Sequence, residues 1–452
     1  MKRQHVVIKL GPNDRFAVNP RDPHATVSVV QAIDGFGSFE FGLDHLLGAA
    51  RALHLAPPEV AFDLALIAVT IMGADTRVNR ALHAQDGWTR ELFLYLPVAD
   101  PKLWSVQAPR LNRMLNFLTG DRWSLQFRAR PKKFGPVVTP PDQFDLSDFS
   151  CVSLLSGGLD SFIGALDLLS GKETPLFVSH YWYGITNHYQ QAVLASLAAE
   201  YPKKGGFDEV RIHSGFGTKW VPEGGGENSQ RSRSFLFFAL AVFFASGMKR
   251  PTNVLVPENG LIALNVPLDP LRVGALSTRT AHPFYLARWN ELIAELGLST
   301  SLVNPYATRT KGTMVKQCKN QLALRKYLAR TMSCSSAEKA RWKGLPPQHC
   351  GYCLPCLIRR AALREGLGDE DTTTYTQPLG KKLKATQKKG EHIRSFQVAI
   401  AELAANPATA QFLIRKPGPL IDVTAEIGAY VKVYREGMKE IENLLQGTKT
   451  VP

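Results

Sequence analysis

The sequence predicts an α/β protein built around a parallel β-sheet. In the middle of the chain, short apolar runs of strand length alternate with segments of helical length, which is the βαβ rhythm of parallel strands. A glycine-rich turn, Ser156 to Ser161, stands directly between the first of these strands and the following helix. Because 452 residues exceed one average domain, we expect three regions: an N-terminal α+β region over residues 1–145, the parallel-sheet region over 146–370 and a helical region over 371–452.

The N-terminal region mixes strand-like and helical patterns. Val6 to Leu10 is a strand-like apolar run, and Ala61 to Met72 has helical periodicity. The segment from Trp88 to Pro97 begins with alternating polar and apolar residues, as an amphipathic strand does. A proline-marked connector, Pro131 to Pro141, follows. We therefore expect the parallel-sheet region to begin after this connector.

The middle region contains several strand candidates and one strongly apolar helix. The helix is predicted over Arg233 to Ala245. After residue 370 comes a polar, lysine-rich link, and then a helical tail with apolar positions from Ile421 to Leu445. The expected strands of the parallel sheet include Cys151 to Leu155, Pro175 to Ser179 and Val254 to Val256.

The composition indicates a soluble globular protein. The chain is 44% apolar and 21% charged, which is ordinary for that class. The longest apolar run, Phe235 to Met248, is too short to cross a bilayer. The start, Met1 to His5, leads into a strand-like run without the long apolar core and cleavage site of a signal peptide. We therefore expect a cytoplasmic protein with no membrane partner.

The net charge of +15, with a sequence pI of about 9.5, favours polyanionic partners such as nucleotides, nucleic acid or an acidic protein. Local clusters occur at Arg128 to Lys133 and at Lys381 to Lys389, but no basic helix spans the chain. The alternative is a dispersed basic surface, which the distribution of the charges partly supports. Direct nucleic-acid binding is therefore permitted by the charge and supported by no motif.

The turn from Ser156 to Ser161 has the features of an anion site. Gly157 and Gly158 let the backbone bend sharply after the strand and approach an anion without a Cβ in the way. The helix that follows points unpaired N–H groups and a partial positive charge at that anion, and the two serines add hydroxyl donors. Asp160 is expected to hold Mg²⁺ or to cap the helix. The turn lacks the Walker A lysine and the dinucleotide Gly-x-Gly-x-x-Gly spacing. The alternative interpretation is a capped strand-to-helix turn that binds no ligand.

These six residues resemble the PP-loop of the N-type ATP pyrophosphatases, which cleave ATP between its α and β phosphates. The resemblance implies a Rossmann-like parallel sheet with ATP at the carboxyl ends of its strands. It also implies that the end of the second strand lies near the adenine. For His180 and His188, packing or adenosine contacts are favoured over acid-base roles. The implied ATP-binding residues are Ser156, Gly157, Gly158, Leu159, Asp160, Ser161, Ser179 and His180.

A late cysteine cluster indicates a metal site. Cys350, Cys353 and Cys356 stand at two-residue intervals, and Cys334 lies upstream as a fourth thiol. Short Cys-x-x-Cys turns suit tetrahedral Zn²⁺, and four thiolates would close its coordination shell, which indicates a structural metal. His349 in place of Cys334 and an iron–sulfur cluster are the alternatives. The remaining cysteines, Cys151 and Cys318, are expected to be buried core thiols.

A PP-loop followed by this late motif, which runs on to Arg359, resembles the 7-cyano-7-deazaguanine synthase (QueC) family. Two softer matches lie between them, at Arg233 to Leu236 and at Thr310 to Gly312. The resemblance covers residues 150–370. Ser234 replaces the family's Asn, Gly312-Thr313 departs from its pattern after the lysine, and Val256 to Gly260 differs from its substrate loop.

The resemblance implies that ATP and Mg²⁺ activate a carboxylate, in the parent family that of 7-carboxy-7-deazaguanine, as an acyl-adenylate. Asp160, Lys311 and Arg233 are the expected catalytic residues, although surface salt-bridge roles suit the two cations about as well. Ammonia then makes an amide and, after a second activation, a nitrile. With its added ends the chain is similar to the QueC-like component of the Qat anti-phage defence system. That similarity implies a partner protein from the same system, whose amine is the alternative acceptor.

Two other functions fit parts of the same pattern. A tRNA-modifying PP-loop enzyme would suit the basic charge, but it predicts a thiolating cysteine pair near the nucleotide or a dedicated RNA-binding region. Cys151 begins its strand, far from the expected reaction end. A nucleotide-binding scaffold without turnover is the third hypothesis, which the intact turn disfavours. No clustered acidic set suggests a nuclease.

Overall fold

The protein is described from a computed structural model. Three predicted features lie outside the described residues: the end of the proline-marked connector, the expected boundary between residues 145 and 146, and Lys381. The structure describes residues 2–85, 87–139, 149–202, 206–217, 220, 226–227, 229–248, 250–268, 279–368, 370–380 and 382–451.

Strands and helices alternate along most of the described chain. The strands are β1 (Arg3–Lys9), β2 (Thr26–Gln31), β3 (Glu91–Val98), β4 (Arg122–Ala129), β5 (Cys151–Leu154), β6 (Pro175–Tyr181), β7 (Asp208–His213), β8 (Thr252–Leu255), β9 (Thr300–Val303), β10 (Lys382–Lys384) and β11 (Lys449–Val451). The helices are α1 (Leu43–Ala52), α2 (Glu59–Arg77), α3 (Arg80–His83), α4 (Pro101–Thr119), α5 (Leu159–Ser170), α6 (Gly184–Glu200), α7 (Arg233–Ser246), α8 (Gly260–Leu264), α9 (Pro283–Glu295), α10 (Lys311–Gln317), α11 (Gln321–Tyr327), α12 (Leu354–Leu367), α13 (Lys388–Ala405), α14 (Ala410–Leu413) and α15 (Ile427–Leu445).

The N-terminal region forms a four-stranded sheet in the order β2-β1-β3-β4, and every pairing is parallel. Helices α1 to α4 lie between these strands in the chain. The region is therefore α/β, and the expectation of an α+β arrangement was wrong. Alternating polar and apolar residues mark a half-buried strand but do not encode its direction, so the sequence pattern could not separate the two arrangements.

The central sheet has the order β7-β6-β5-β8-β9, again with every pairing parallel. The chain builds outward from β5 to β7 on one side and then returns to place β8 and β9 on the other side. The strand order therefore reverses next to β5, and open parallel sheets bind ligands at the carboxyl ends of the strands at such a reversal. The turn from Ser156 to Ser161 follows β5 at this point.

Helix α7 joins the two sheets. Its residues from Ser234 to Ala245 are all buried, because it packs against α2 of the N-terminal region on one side and against the central sheet on the other. One continuous apolar core includes residues of both sheets, α2 and α7. The N-terminal region is thus fused to the central region through a shared core.

The C-terminal region packs on the central region through a core of its own. Helices α13 and α15 contribute apolar residues to this core, and α8 and α12 of the central region complete it. The short strands β10 and β11 pair in parallel beside these helices, which the sequence pattern did not predict. Among the described residues, none of the helices combines the length and apolarity needed to cross a membrane.

Candidate functional site

The turn after β5 depends on glycine. Gly157 has φ +82°, in the left-handed region, and a Cβ at this position would lie 3.0 Å from the backbone nitrogen of Gln190 in α6. Both a left-handed backbone and a close neighbouring chain therefore require the missing side chain. The backbone N–H of Met332 donates to the carbonyl of Gly157 at 2.9 Å. This bond connects the turn to the segment that leads to Cys334.

Two serine hydroxyls close the turn on itself. Ser161 Oγ accepts from the backbone N–H of Ser156 at 3.2 Å, lies 3.1 Å from Ser156 Oγ and donates to the carbonyl of Gly158. Helix α5 begins at Leu159, and its first turn faces the loop without a side-chain cap on its N–H groups. These contacts span at most five residues, so the turn itself supplies the hydrogen bonds that close this helix N-terminus.

Asp160 and Lys311 form an ion pair directly behind the turn. Lys311 Nζ lies 3.0 Å from Asp160 Oδ1, and both side chains are largely buried. Asp160 Oδ2 accepts from the side-chain amide of Asn259 at 2.7 Å and from its backbone N–H. Thr310 caps α10 by accepting from the backbone N–H of Thr313, which holds Lys311 at the first position of that helix. Two of the three expected catalytic residues are therefore brought together.

The C-terminal region reaches this pair through Glu440 of α15. Its carboxylate accepts from the hydroxyl of Thr310 and, at 3.2 Å, from the backbone N–H of Gly312. A Cβ on Gly312 would lie 2.5 Å from Glu440 Oε1, so the glycine makes room for this carboxylate. Burial raises the pKa of Glu440 to about 7. A residue 129 positions beyond Lys311 thus fixes the turn that carries it.

A cavity of about 1000 Å³ opens above the carboxyl edge of the central sheet. Ser156 and Ser161 of the turn line it, together with Arg233 and Ser234 from the start of α7. Lys311 and Asp160 lie behind this wall. Residues of the mouth include Tyr183, Cys334, Lys339, Arg341 and the exposed Trp342. The turn and α7 therefore face one shared space that is large enough for a nucleotide and a second small molecule.

Glu258 is the carboxylate that follows β8 on the cavity wall. Its Oε2 is buried and has no hydrogen-bond partner among the described residues. Burial, reinforced by the Asp160 carboxylate, raises the pKa of Glu258 to about 7, while Lys311 opposes that shift. An acid that titrates near neutrality inside a cavity is typical of a functional site.

Arg233 is the third expected catalytic residue, and it lies on the cavity wall. Burial lowers the pKa of its guanidinium, which donates one long hydrogen bond, 3.4 Å, to the carbonyl of His180. Arg231 lies beside it on the same wall. The sequence offered no motif for Arg231, because a lone arginine in a loop has no distinguishing spacing.

The structure places the expected adenine contacts below the cavity. Ser179 is buried in β6 and donates to the carbonyl of Leu155 at 2.6 Å, and His180 is fully buried. Burial and the nearby Arg233 hold the pKa of His180 well below its ordinary value, so the ring is neutral. Neither side chain lines the cavity, and the exposed His188 does not line it either. In this structure, all three residues can therefore affect the cavity only through packing or through backbone groups.

The four late cysteines form a compact cluster that could hold a metal ion such as zinc. All four sulfurs lie within 4.8 Å of one another, with Cys334 and Cys353 3.8 Å apart and Cys350 and Cys356 3.9 Å apart. At a Zn–S distance of about 2.3 Å, tetrahedral geometry separates sulfurs by about 3.8 Å, so the cluster fits this ion. Gly351, with φ +88°, makes the tight turn between the first two thiols of the knuckle.

His349 is not part of this cluster. Its Nε2 accepts from the backbone N–H of Ser333 at 3.1 Å, and burial together with Arg359 lowers its pKa to about 3. The alternative in which His349 replaces Cys334 was therefore wrong for this structure. Arg359, the last residue of the late motif, is fully buried and donates to the hydroxyls of Thr331 and Ser333. It fixes the segment between the cluster and the turn.

Asn259, Glu258, Glu440 and Arg231 are site residues that the sequence did not single out. Glu258 and Asn259 follow β8, in the segment that departs from the family's substrate loop, whereas Arg231 precedes α7 and Glu440 lies on α15. Comparison with protein-family models, with curated proteins and with solved structures finds no match. The chemistry of this chain has therefore to be inferred from its own residues.

Proposed function

We propose that this chain binds ATP at the turn from Ser156 to Ser161 and uses it to activate a carboxylate, with release of pyrophosphate. The observation that carries the proposal is the position of the turn. A left-handed glycine and an uncapped helix N-terminus open onto a large cavity where the order of the central sheet reverses. The N–H donors and hydroxyls present at this helix N-terminus are sufficient to bind a phosphate.

The charges around the turn suit the triphosphate of ATP. Lys311 lies behind the turn and Arg233 lies across from it, so cations flank the two serines. Asp160 holds Lys311 in place and would prevent its swinging away when no nucleotide is bound. Preorganised cations of this kind stabilise charge that develops on phosphate oxygens during the reaction. In the proposed reaction Lys311 stabilises the charge on the phosphates, and Arg233 faces the developing charge from the opposite wall.

The proposed chemistry is an adenylation followed by acyl transfer. A carboxylate oxygen attacks the α-phosphorus, and the bond from that phosphorus to the oxygen bridging the α and β phosphates breaks. Pyrophosphate leaves with the electron pair, and an acyl-adenylate forms. An amine then attacks the activated carbonyl, gives up a proton and displaces AMP. The gain in rate comes mainly from alignment of the two substrates in one cavity and from charge stabilisation.

Magnesium would enter with ATP and neutralise part of the triphosphate charge. Asp160 fits less well as its ligand, because Lys311 Nζ already lies 3.0 Å from Oδ1 and the side-chain amide of Asn259 donates to Oδ2. Glu258 fits better, because its Oε2 is buried on the cavity wall without a hydrogen-bond partner among the described residues. The role expected for Asp160 therefore changes from metal ligand to positioning of Lys311.

The four-cysteine cluster is proposed to hold Zn²⁺ in a structural role. Four thiolates leave no open coordination position for a substrate. The bond between Met332 and Gly157 connects the segment before Cys334 to the turn, so a bound metal would stabilise the site indirectly. Zinc supplies no chemistry to the reaction in this proposal.

The tRNA-thiolation hypothesis receives less support. Burial raises the pKa of Cys151 to about 11 and that of Cys318 to about 12, so both thiols are protonated and unreactive at neutral pH. Cys151 stands at the start of β5, away from the turn at its other end. Cys334 lines the cavity, but it belongs to the four-cysteine cluster.

The acid that suits the QueC resemblance is a 7-deazaguanine carboxylate, and the amine is ammonia or an amine of a partner protein. By the same resemblance we propose anti-phage defence as the setting. Incubation of the full chain with ATP, Mg²⁺, 7-carboxy-7-deazaguanine, ammonia and a candidate partner, followed by mass spectrometry, tests these statements. AMP and pyrophosphate with a small amide or nitrile would support ammonia as acceptor, and a mass increase on the partner would support conjugation. No AMP or pyrophosphate from a fully metallated protein would overturn the proposal.

A further inference from the structure

We propose that the start of α7 forms a second anion subsite in the same cavity, made of Arg231, Arg233 and Ser234, and that it holds the carboxylate of the acid to be activated. This inference rests on the proposed function, because it names where the second substrate binds. The turn after β5 would hold the phosphates, and the α7 subsite would hold an aromatic carboxylate.

Two cations on this wall form no ion pair with any residue that the structure describes. Among the described residues, no carboxylate lies within 4.0 Å of the guanidinium of Arg231 or of Arg233. Burial lowers the pKa of Arg231 to about 10 and also lowers that of Arg233. Burying a guanidinium without an ion pair costs free energy that an anion from solution would offset. The wall is therefore prepared for a negatively charged ligand.

Ser234 provides a separate observation. It is 6% exposed, it lines the cavity, and its hydroxyl oxygen has no hydrogen-bond partner among the described residues, although the phenol of Tyr285 lies near it. A buried hydroxyl without a partner is uncommon, because its desolvation is costly. Helix α7 is 14 residues long and no side chain caps its first N–H groups, so its positive end adds to the attraction.

The neighbouring surface indicates what kind of carboxylate would bind. Phe237 and Phe238, one turn further along α7, line the cavity beside these polar groups, and Val256 faces the same space. Aromatic and branched side chains next to a cationic subsite suit a planar ring that carries a carboxylate. A phosphate without an attached ring would leave this apolar surface unused.

The N-terminal region holds the subsite in place. The backbone N–H and hydroxyl of Ser232 donate to Asp75 of α2 at 2.8 and 2.9 Å. Arg231 donates to the carbonyl of Thr119 at 2.9 Å, and its guanidinium lies over the ring of Trp88. These partners all belong to the N-terminal region. Building the acid-binding wall is thus a function for the N-terminal region, which lies outside the residues that the QueC resemblance covers.

The arrangement suits an attack on the α-phosphate. Arg233 donates to the carbonyl of His180, and the neighbouring Ser179 donates to the carbonyl of Leu155, which directly precedes the turn. The α7 subsite is therefore connected to the phosphate turn through the end of β6. A carboxylate held by Arg233 would face phosphates held by Ser156 and Ser161 across one cavity.

The test measures binding of two probes separately to the full chain. Calorimetry with 7-carboxy-7-deazaguanine reports on the α7 subsite, and calorimetry with the α,β-methylene analogue of ATP reports on the turn. We expect Arg231→Gln to weaken binding of the acid by about tenfold or more, and Ser234→Ala by roughly threefold, with analogue binding within twofold of wild type. Arg341→Gln, which removes an exposed cation from the mouth of the same cavity, is the matched control and should leave acid binding within twofold.

Each outcome separates the subsite from the function on which it rests. If wild type forms no AMP and binds neither probe, the proposed function fails. If wild type binds both probes but Arg231→Gln and Ser234→Ala weaken only the ATP analogue, the subsite belongs to the phosphates and the inference is overturned. Should Arg231→Gln fail to fold, Ser234→Ala decides, because it removes a hydroxyl without a partner. Unchanged acid binding in that variant would then overturn the inference.

Discussion

Two helix N-termini face the same cavity, and they are held in place in different ways. The start of α5 is closed by contacts within the turn from Ser156 to Ser161, none of which spans more than five residues. The start of α7 is held by Asp75 and Thr119, which lie 157 and 112 residues away from their partners. The serine hydrogen bonds of the first proposed anion site are therefore local in the sequence, whereas those that hold the second join distant parts of the fold.

This contrast indicates which parts of the site tolerate remote change. A mutation in the N-terminal region should disturb the α7 subsite and leave the phosphate turn intact. The turn also has remote contacts: Met332 donates to the carbonyl of Gly157, and Glu440 bonds to Thr310 and Gly312, which flank Lys311. Variants at these positions separate the local contribution from the remote ones.

The largest effect is expected from breaking the local site. Gly157→Val places a branched side chain at φ +82°, 3.0 Å from the backbone nitrogen of Gln190. We expect AMP formation to fall by roughly 1000-fold, because the phosphate-binding backbone can no longer adopt its shape. Gly297→Val is the control, since Gly297 also has a positive φ of +69°, but a Cβ there would meet no atom of the described residues within 4 Å. Equal losses of AMP formation in the two variants would show that the effect of Gly157→Val is not specific to the turn.

Lys311→Met tests the cation behind the turn. The substitution removes the ion pair with Asp160 at similar side-chain volume, and we expect AMP formation to fall by roughly 100-fold. Lys316→Met is the control, because Lys316 lies on the same helix and is exposed. A steady-state assay of pyrophosphate release measures both variants. A Lys311→Met enzyme with wild-type turnover would remove Lys311 from the site.

Cys353→Ser tests the remote support of the turn by the cysteine cluster. We expect the variant to lose about one equivalent of zinc per chain and about tenfold in activity, since the metal fixes the segment that bonds to Gly157. Cys151→Ser, a buried thiol outside the cluster, should keep its metal. Elemental analysis of both proteins measures the difference. Unchanged zinc in Cys353→Ser would contradict the ligand assignment.

Ser232→Ala breaks the remote support of the α7 subsite. It removes the side-chain hydrogen bond to Asp75 and leaves the charges of the wall in place. We expect the KM for the acid to rise roughly fivefold and the KM for ATP to stay unchanged. Ser246→Ala at the other end of α7, where the hydroxyl bonds only within its own helix, is the control. A rise in the KM for ATP alone would reverse the assignment of the two sites.

Glu440→Gln should have the smallest effect on turnover, and it changes how stability depends on pH. Because burial raises the folded-state pKa of Glu440 from 4.5 to about 7, the unfolded chain loses this proton at lower pH than the folded chain. Below about pH 4.5 Glu440 is protonated in both states and does not lower the free energy of unfolding. As the pH rises from there to about 7, the unfolded chain loses the proton first, and the free energy of unfolding of the wild type falls. The glutamine variant should lack this part of the loss, by about 1 to 3 kcal/mol at pH 8 in urea unfolding. Parallel curves for the two proteins from pH 5 to pH 8 would contradict the assignment.

The sequence predicted those features whose cause is local. The strands β5 and β6 and the helix α7 are apolar runs, because they are buried on both faces. Strands β7 and β9 were missed, because both lie at the edges of the sheet and are only partly buried. The four thiols were predicted from their spacing, and the geometry of the cluster agrees with that prediction.

The remaining features required the fold. The contact between Asp160 and Lys311 joins residues 151 positions apart. The resemblance predicted both as catalytic residues but did not predict that they form an ion pair. Ser179 and His180 were expected at the nucleotide from their place at the end of a strand, but strand ends do not show which side chains reach the surface. Arg231 depends on an N-terminal region whose packing no short motif encodes.

The transfer of an oxygen isotope decides whether a carboxylate is activated by adenylation. The full chain is incubated with Mg²⁺, ATP and an acid whose carboxylate oxygens are both ¹⁸O, and the AMP is analysed by mass spectrometry. Attack of the carboxylate on the α-phosphorus predicts one ¹⁸O atom in each AMP, left behind when the amine takes the acyl group. AMP that carries no ¹⁸O would show that water cleaved the ATP, and it would contradict the proposed adenylation.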